Sequence, residues 1–378
     1  MLKLNGLTTS ALDFVQKSER RADYSMKLDY NELPYSPAWL GSKDGECLHA
    51  LNRYPEEDNQ ALIETIAQRY GLSSNEIAVT HGIDEAVDRF VQLFQEYSFV
   101  LFEPTFFGFS DRLEANSANV RTYNLGENFQ ISKAAIDGLS KTDVVILASP
   151  NNPTGHLFDD SEIERLLEAA HAVLVDETYI DFSSSAGWLS KRPNNLFVYR
   201  SFSKSFGLAG LRAGFLAGPC DAMDKIRKKQ WFCNMSAPVI AAINQALDSD
   251  WHIQKANEII QERARVINRL RRMGFEVVET ETNFILLKDP SSVVATTLDR
   301  QSIRVRPLTS MGMPDYLRIS IDTPTNNNLL LQTLATIPTN YYTVLHGLHK
   351  LNQEWQEKSV FGTMRSHQVS TWVTRKTG

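Results

Sequence analysis

Hydrophobic positions in this chain follow two textures. From about residue 48 to 245 they come as compact runs bounded by turn residues: Val144-Val145-Ile146-Leu147-Ala148, Ala172-Val173-Leu174-Val175 and Leu196-Phe197-Val198-Tyr199. Continuous apolar runs of this length read as strands buried on both faces. Other segments carry the helical period, such as Ala86, Val87, Phe90, Val91 and Phe94. Strands alternating with helices predict a large α/β domain, doubly wound, with a mostly parallel sheet. From about residue 251 to 273 the pattern becomes one long amphipathic helix. Ile259, Ile260, Ala264, Ile267 and Leu270 interleave there with Arg263, Arg265, Arg269, Arg271 and Arg272, and the arginines are expected on the solvated face. Beyond it, Phe275–Glu279, Phe284–Leu287, Ile303–Val305 and Leu317–Ile321 read as short strands of a smaller α/β lobe closed by a helix over Asn326–Leu334. The expected division is 48–250 for the large domain and 251–337 for the small one, with residues 1–47 packing on the latter. Residues 338–378 are an extension of unassigned role, with amphipathic spacing at Asn340–Asn352 and a polar, irregular stretch at Gly362–Gly378.

The polar residues that end these strands carry the chemistry. Ser149-Pro-Asn-Asn-Pro-Thr-Gly155 is a turn directly after one buried run, and Asp176 and Tyr179 follow the next. Polar groups at the carboxyl ends of successive strands converge on one crevice in an open α/β sheet. The third run leads into Tyr199-Arg-Ser-Phe-Ser-Lys-Ser-Phe-Gly-Leu-Ala-Gly-Leu-Arg-Ala-Gly-Phe215, where Lys204 stands among small hydroxyl residues and Arg212 follows eight positions later. A lysine is a hydrated, flexible charge usually left on the surface; held at a strand end it loses its proton readily and can attack a carbonyl to form a Schiff base. Ser201, Ser203 and Arg212 add donors and a permanent cation suited to a phosphate. Gly82, Ile83 and Asp84 open a helix whose backbone amides and dipole suit the same anion, although an ordinary cap with Asp84 has the same pattern. A Schiff-base amine beside a phosphate cradle is what pyridoxal phosphate requires.

These motifs resemble the fold-type I aminotransferases that use pyridoxal 5'-phosphate, and among them the histidinol-phosphate aminotransferases most. The matching blocks are Lys27–Tyr35 (K-L-D-Y-N-E-L-P-Y), Arg53–Glu56 (R-Y-P-E), His81–Glu85 (H-G-I-D-E), Glu103–Phe106 (E-P-T-F), S-P-N-N-P-T-G, D-E-T-Y-I-D-F, the Lys204 segment and Tyr316–Ser320 (Y-L-R-I-S), in the family's order from about residue 25 to 337. The resemblance implies that Lys204 holds the cofactor, that Asp176 partners the protonated ring nitrogen, and that Asn152 and Tyr179 hydrogen-bond the phenolic oxygen. It implies that Phe106 stacks on the ring where the family usually has a tyrosine. Tyr54 matches a tyrosine that reaches the neighbouring subunit's phosphate, which implies a homodimer with shared active sites. Arg318 resembles the clamp on the α-carboxylate of glutamate or 2-oxoglutarate, and Arg306 a second arginine for substrate anions; Tyr35 and Asn152 complete the implied substrate contacts. Leu33 and Phe106 depart from the pattern and keep open an aminotransferase for another, non-phosphorylated amino acid. The same scaffold also suits a threonine-phosphate decarboxylase-like enzyme. A cofactor-binding regulator is a further possibility, short of room for a DNA-binding module before residue 25.

Composition narrows the partners. With 42% hydrophobic and 22% charged residues the chain is an ordinary globular protein, and a net charge of −6 gives no reason to expect nucleic acid. Cys47, Cys220 and Cys233 suggest neither a disulfide framework nor a zinc site, and the eight histidines have no metal-ligand spacing. No apolar stretch has the length of a signal peptide core or a membrane span, so a reduced, cytoplasmic protein is expected.

Overall fold

The structure, a computed structural model of the 378-residue chain, describes residues 24–37, 52–55 and 59–338. The expectations for residues 1–23 and for the extension from 339 onward, including the helix at Asn340–Asn352, lie outside the described residues.

After β1 (Met26–Lys27), seven strands form the large sheet: β2 (Ile77–Thr80), β3 (Ser98–Glu103), β4 (Asn119–Asn124), β5 (Asp143–Ala148), β6 (Ala172–Asp176), β7 (Leu196–Ser201) and β8 (Gly214–Ala217). Their spatial order is β2-β8-β7-β6-β5-β3-β4. The pairs from β4 to β7 are parallel, and β8 runs antiparallel to both β7 and β2. Helices α1 (Gln60–Tyr70), α2 (Gly82–Leu93), α3 (Phe107–Ala115), α4 (Lys133–Asp137) and α5 (Asp160–Ala169) punctuate the strands, and α6 (Cys220–Arg227) and α7 (Ala237–Leu247) follow β8. Every residue of β5 and β6 is buried. Their alternate side chains feed two cores, one containing Val145, Val173 and Val198 with Ile66 and Ile243, the other Ile146, Leu174 and Phe197 with Phe90 and Phe109. Helices on both faces explain why the runs are continuous rather than alternating.

The remaining chain forms α8 (Trp251–Arg272), β9 (Val277–Val278), β10 (Phe284–Lys288), α9 (Val293–Arg300), β11 (Ile303–Arg304), β12 (Arg306–Pro307), β13 (Tyr316–Ser320) and α10 (Pro324–Leu334). Four of these strands make an antiparallel sheet ordered β12-β13-β10-β9, while β11 pairs in parallel with β1. The strand expected at Ile303–Val305 is therefore split: the chain leaves β1 after Arg304 and joins β13 at Arg306. A separate core of Met26, Phe182, Ile259, Phe284 and Ile319 ties β1 and α8 to this sheet.

Two expectations are corrected. Arg263 is not on the solvated face of α8; it is buried and its Nη1 donates to Phe182 O at 3.0 Å and Thr282 O at 2.5 Å. Buried carbonyls need donors, and a long side chain on the packed face reaches both. Ala264 is exposed instead, whereas Arg265, Arg269, Arg271 and Arg272 do face outward. The second correction concerns Asp84, which is not a helix cap: α2 starts at Gly82 after the cap residue His81, leaving Asp84 in the first turn. Among the described residues, no helix is long and apolar enough to cross a membrane.

Candidate active site

Because β5, β6 and β7 are parallel, the residues that follow them meet at one end of the sheet. The turn after β5 is locked by Asn151, whose Nδ2 donates to Pro104 O and Thr154 Oγ1, both at 2.9 Å, while its Oδ1 accepts from Thr105 Oγ1 at 3.1 Å. That leaves the next residue, Asn152, for the crevice. Asp176 ends β6, and its Oδ1 accepts from Thr178 N at 3.0 Å and Thr178 Oγ1 at 2.6 Å. Burial pushes its carboxyl up to about 6 against the two Thr178 hydrogen bonds. Its neighbour Glu177 points to the opposite face, as strand geometry requires, and is neutralised there by Arg200 Nε at 2.7 Å. Arg200 Nη1 also reaches Asp181 at 3.4 Å, whose other oxygen accepts from Ser205 Oγ at 2.5 Å. So of two adjacent buried acids, one is locked in an ion pair and the other, Asp176, forms none among the described residues.

Lys204 follows β7. Its Nζ donates to Tyr30 O at 2.9 Å and lies 5.7 Å from the centre of the Tyr179 ring. Burial, and secondarily the Arg318 charge, bring its ammonium down to about 7 from the usual 10.5. Tyr179 is buried, its ring edge-on to Phe284 and its hydroxyl accepting from Asn31 Nδ2 at 3.1 Å. Arg318, on β13, donates through Nη1 to Asn152 Oδ1 at 2.5 Å and through Nη2 to Asp29 O at 2.8 Å. Burial is the main reason its guanidinium is brought down to about 10, with the charge of Arg306 acting the same way. Arg306 is half-buried directly across from Arg318 in the β12–β13 ladder, and desolvation lowers it too.

The helix start lies on the other flank. Gly82 has φ 72°, a left-handed conformation that favours glycine, and a Cβ there would stand 2.9 Å from Arg212 Nη2, so the guanidinium lies close against the helix start. Ile83 and Asp84 are half-buried, and Asp84 Oδ2 is 3.3 Å from Arg212 Nη2 in a largely exposed pair that an incoming anion can replace at small cost. Ser201 Oγ accepts from the Ser203 amide at 3.0 Å. Between this flank and Asp176 lies Tyr199, the ladder partner of Asp176 on β7, whose buried hydroxyl has Ser201 beside it. A Cβ at Gly214 would collide with that hydroxyl.

Lys204, Asp176, Tyr179, Asn152 and Arg318 thus come together, with Arg306 behind Arg318 and Gly82, Ser201, Ser203 and Arg212 to one side. Three more expected residues make contacts of their own. Phe106 caps α3 with its ring against Phe107 and Phe109. The Tyr35 ring lies under Lys255 Nζ, 4.4 Å from its centre, on α8, and only its carbonyl oxygen approaches Gly207. Tyr54 is 84% exposed and packs edge-on against Phe232 at 6.0 Å. Conversely, Asp29, Tyr30 and Asn31 were not expected in the site, yet they contact Arg318, Lys204 and Tyr179 in turn. A polar triplet directly after the buried Leu28 was the available signal.

This donor set fits a pyridoxal phosphate. It contains a primary amine of lowered basicity, a buried carboxylate without a cation among the described residues, a buried phenol beside that carboxylate, and a glycine-opened helix start next to an arginine. The model of the aminotransferase class I and II family matches residues 25–334, and the chain belongs to that family. It is a pyridoxal-phosphate-dependent transferase of amino groups. A histidinol-phosphate aminotransferase from Thermococcus gammatolerans is 32% identical over 321 residues, covering 83% of this chain and 92% of its own. A solved Burkholderia pseudomallei protein, provisionally named an aminotransferase, is 31% identical, with TM-score 0.78 over 83% of this chain and 98% of its own. The fold is shared with the histidinol-phosphate aminotransferase of Sinorhizobium meliloti solved with pyridoxal 5'-phosphate, at 20% identity and TM-score 0.72, covering 90% of this chain and 99% of that one.

Proposed function

We propose that the amino donor is histidinol phosphate and the acceptor 2-oxoglutarate, giving imidazole-acetol phosphate and glutamate. The observation that carries this reading is the arginine pair. Arg318 and Arg306 are ladder partners on β13 and β12, and Arg318 is close enough to Lys204 to lower its basicity. Histidinol phosphate has CH₂–O–phosphate where glutamate has its α-carboxylate, so one cationic pocket must accept both anions. A compact dianion beside two guanidinium groups makes several charge-assisted hydrogen bonds.

Bound pyridoxal phosphate supplies an electron sink for the substrate's α-carbon. In our reading Lys204 Nζ would hold the cofactor at its aldehyde carbon, and as a free amine it would move the substrate's α-proton. A basicity near neutrality suits that task. Asp176, whose carboxyl titrates at about 6, is ionised at neutral pH and holds the proton on the ring nitrogen. Arg318 occupies Asn152 Oδ1, which turns the amide's Nδ2 toward the phenolic oxygen beside the Tyr179 hydroxyl. Phe106 would cover the ring, Tyr35 would contribute from the rim, and Ser201, Ser203, Arg212 and the amides at Gly82, Ile83 and Asp84 would hold the phosphate.

Two coarser features belong to the same proposal. The exposed cluster of Tyr54, Trp231 (76%) and Phe232 (64%) supports a homodimer in which Tyr54 reaches the neighbouring site. The separate cores support a division into domains at 48–250 and 251–337, and the exposed free thiol of Cys220 is compatible with the cytoplasm. A single-turnover scan of amino donors against the bound cofactor's visible band tests the substrate. Histidinol phosphate should discharge the band faster than histidinol. A band unchanged by histidinol phosphate but discharged by a non-phosphorylated amino acid would remove the substrate assignment.

A further inference from the structure

The hydrogen bonds around Asn31, with its Oδ1 toward Ser320 and its Nδ2 toward Tyr179, run in one direction. The backbone amide of Asn31 donates to Ser320 Oγ at 2.9 Å. Ser320 has a single hydroxyl proton, and that proton goes to Asn31 Oδ1 at 3.1 Å. With its oxygen occupied, the Asn31 side chain presents Nδ2 to Tyr179, and the phenolic oxygen accepts from it at 3.1 Å. The loop cannot drift out of this arrangement: Asn31 O accepts from Asn283 Nδ2 at 2.9 Å, and Ser320 N donates to Leu28 O at 2.9 Å. Asn31 is 1% exposed and has φ 53°, a conformation asparagine tolerates better than most residues.

We infer that Asn31 is a positioning residue for the cofactor: by donating to the Tyr179 hydroxyl, it obliges that hydroxyl to direct its own proton outward, to the phenolic oxygen of pyridoxal phosphate. A hydroxyl that already accepts on one lone pair is also a stronger donor, because successive bonds in a chain polarise one another. The charged groups facing Tyr179 do not set this direction. Lys204 lies over the ring, and Arg318 and Asp176 act on the hydroxyl with opposite signs. The order of donation runs from the Asn31 amide through Ser320, back through the Asn31 side chain, and out through Tyr179. Asn152 follows the same logic from the other side, with Arg318 occupying its oxygen. Both donors to the phenolic oxygen are thereby fixed by residues of the small sheet and the segment before it. The inference rests on the proposed role of Tyr179.

The experiment uses the holoenzyme and reads the pH midpoint of the bound cofactor's visible band, together with turnover. A donor to the phenolic oxygen lowers that midpoint, so Tyr179→Phe should raise it by roughly one pH unit. Asn31→Gly keeps the backbone conformation without adding charge, and should raise it in the same direction by a smaller amount. In the double variant the glycine should add nothing, because Asn31 acts only through the Tyr179 hydroxyl. Asn31→Asp reverses the polarity by offering only acceptors, so it should raise the midpoint further than glycine. If Tyr179→Phe shifts the midpoint and Asn31→Gly does not, or if the glycine shifts it equally in both backgrounds, the Asn31 inference is overturned while the Tyr179 role stands. If Tyr179→Phe itself leaves the midpoint in place, both fall.

Discussion

The ends of β6 and β7 and the small sheet opposite them treat buried polar groups differently. On the large-sheet side Asp176 is buried and Lys204 half-buried, neither in an ion pair among the described residues, and both are displaced toward neutrality, to about 6 and about 7. Tyr199 adds a buried hydroxyl beside Asp176. On the small-sheet side Arg318 and Asn31 are engaged, and Arg318 also holds Asn152 from across the crevice, each bond fixing which way an amide or guanidinium points. One region holds reactive groups in a state that is costly without a ligand. The other sets their geometry and selects anions. Glu177 makes the contrast within two residues, since the acid beside Asp176 is neutralised by Arg200 and takes no part in the crevice.

Substitutions separate the two sides, most severely on the first. Lys204→Ala should abolish turnover while pyridoxal phosphate remains noncovalently bound; residual transamination near the wild-type rate would contradict the division. Asp176→Asn should leave the fold and phosphate anchor intact but cost on the order of a hundredfold or more in rate, as for other lost electrostatic partners. Near-normal turnover with the cofactor bound would show that the carboxylate is not needed.

On the geometric side the losses should be smaller and selective. Arg318→Ala removes a charge-assisted clamp and releases Asn152, so both half-reactions should slow by roughly tenfold to a hundredfold. Arg306→Ala should weaken the phosphorylated donor more than glutamate. Equal losses for both donors would place Arg306 outside the anion pocket. Kinetics of the separate half-reactions distinguish these outcomes.

The gentlest test is of stability in the apoprotein. Lys204 releases its proton at about 7 in the folded chain but near 10.5 when unfolded, so between those values the unfolded state binds more protons. Stability should therefore rise with pH across that window, and the rise should be shallower in Lys204→Met. Denaturant midpoints measured from pH 7 upward give the slope, and identical slopes in both proteins would argue that Lys204 is not held in a desolvated state.

Much of this arrangement was legible in the sequence, for physical reasons. Continuous apolar runs at Val144, Ala172 and Leu196 mark strands covered on both faces, and the polar residues that end them must share one edge. Arg318 stands out as a charge inside a strand. The tie from Asn31 to Tyr179 was not legible, since it links positions far apart in sequence and depends on how β1 docks beside β11. Arg263 was misplaced because helical period distinguishes apolar from polar faces but does not see the carbonyls of Phe182 and Thr282 waiting on the packed side.

The central claim is that Lys204, desolvated and facing Arg318, is the amine that carries the cofactor. Borohydride reduction of the yellow holoenzyme, followed by peptide mapping, reads this directly. The account predicts a pyridoxyl label on the peptide containing Lys204, absent in Lys204→Ala. A label on any other lysine, or its persistence in Lys204→Ala, would contradict it.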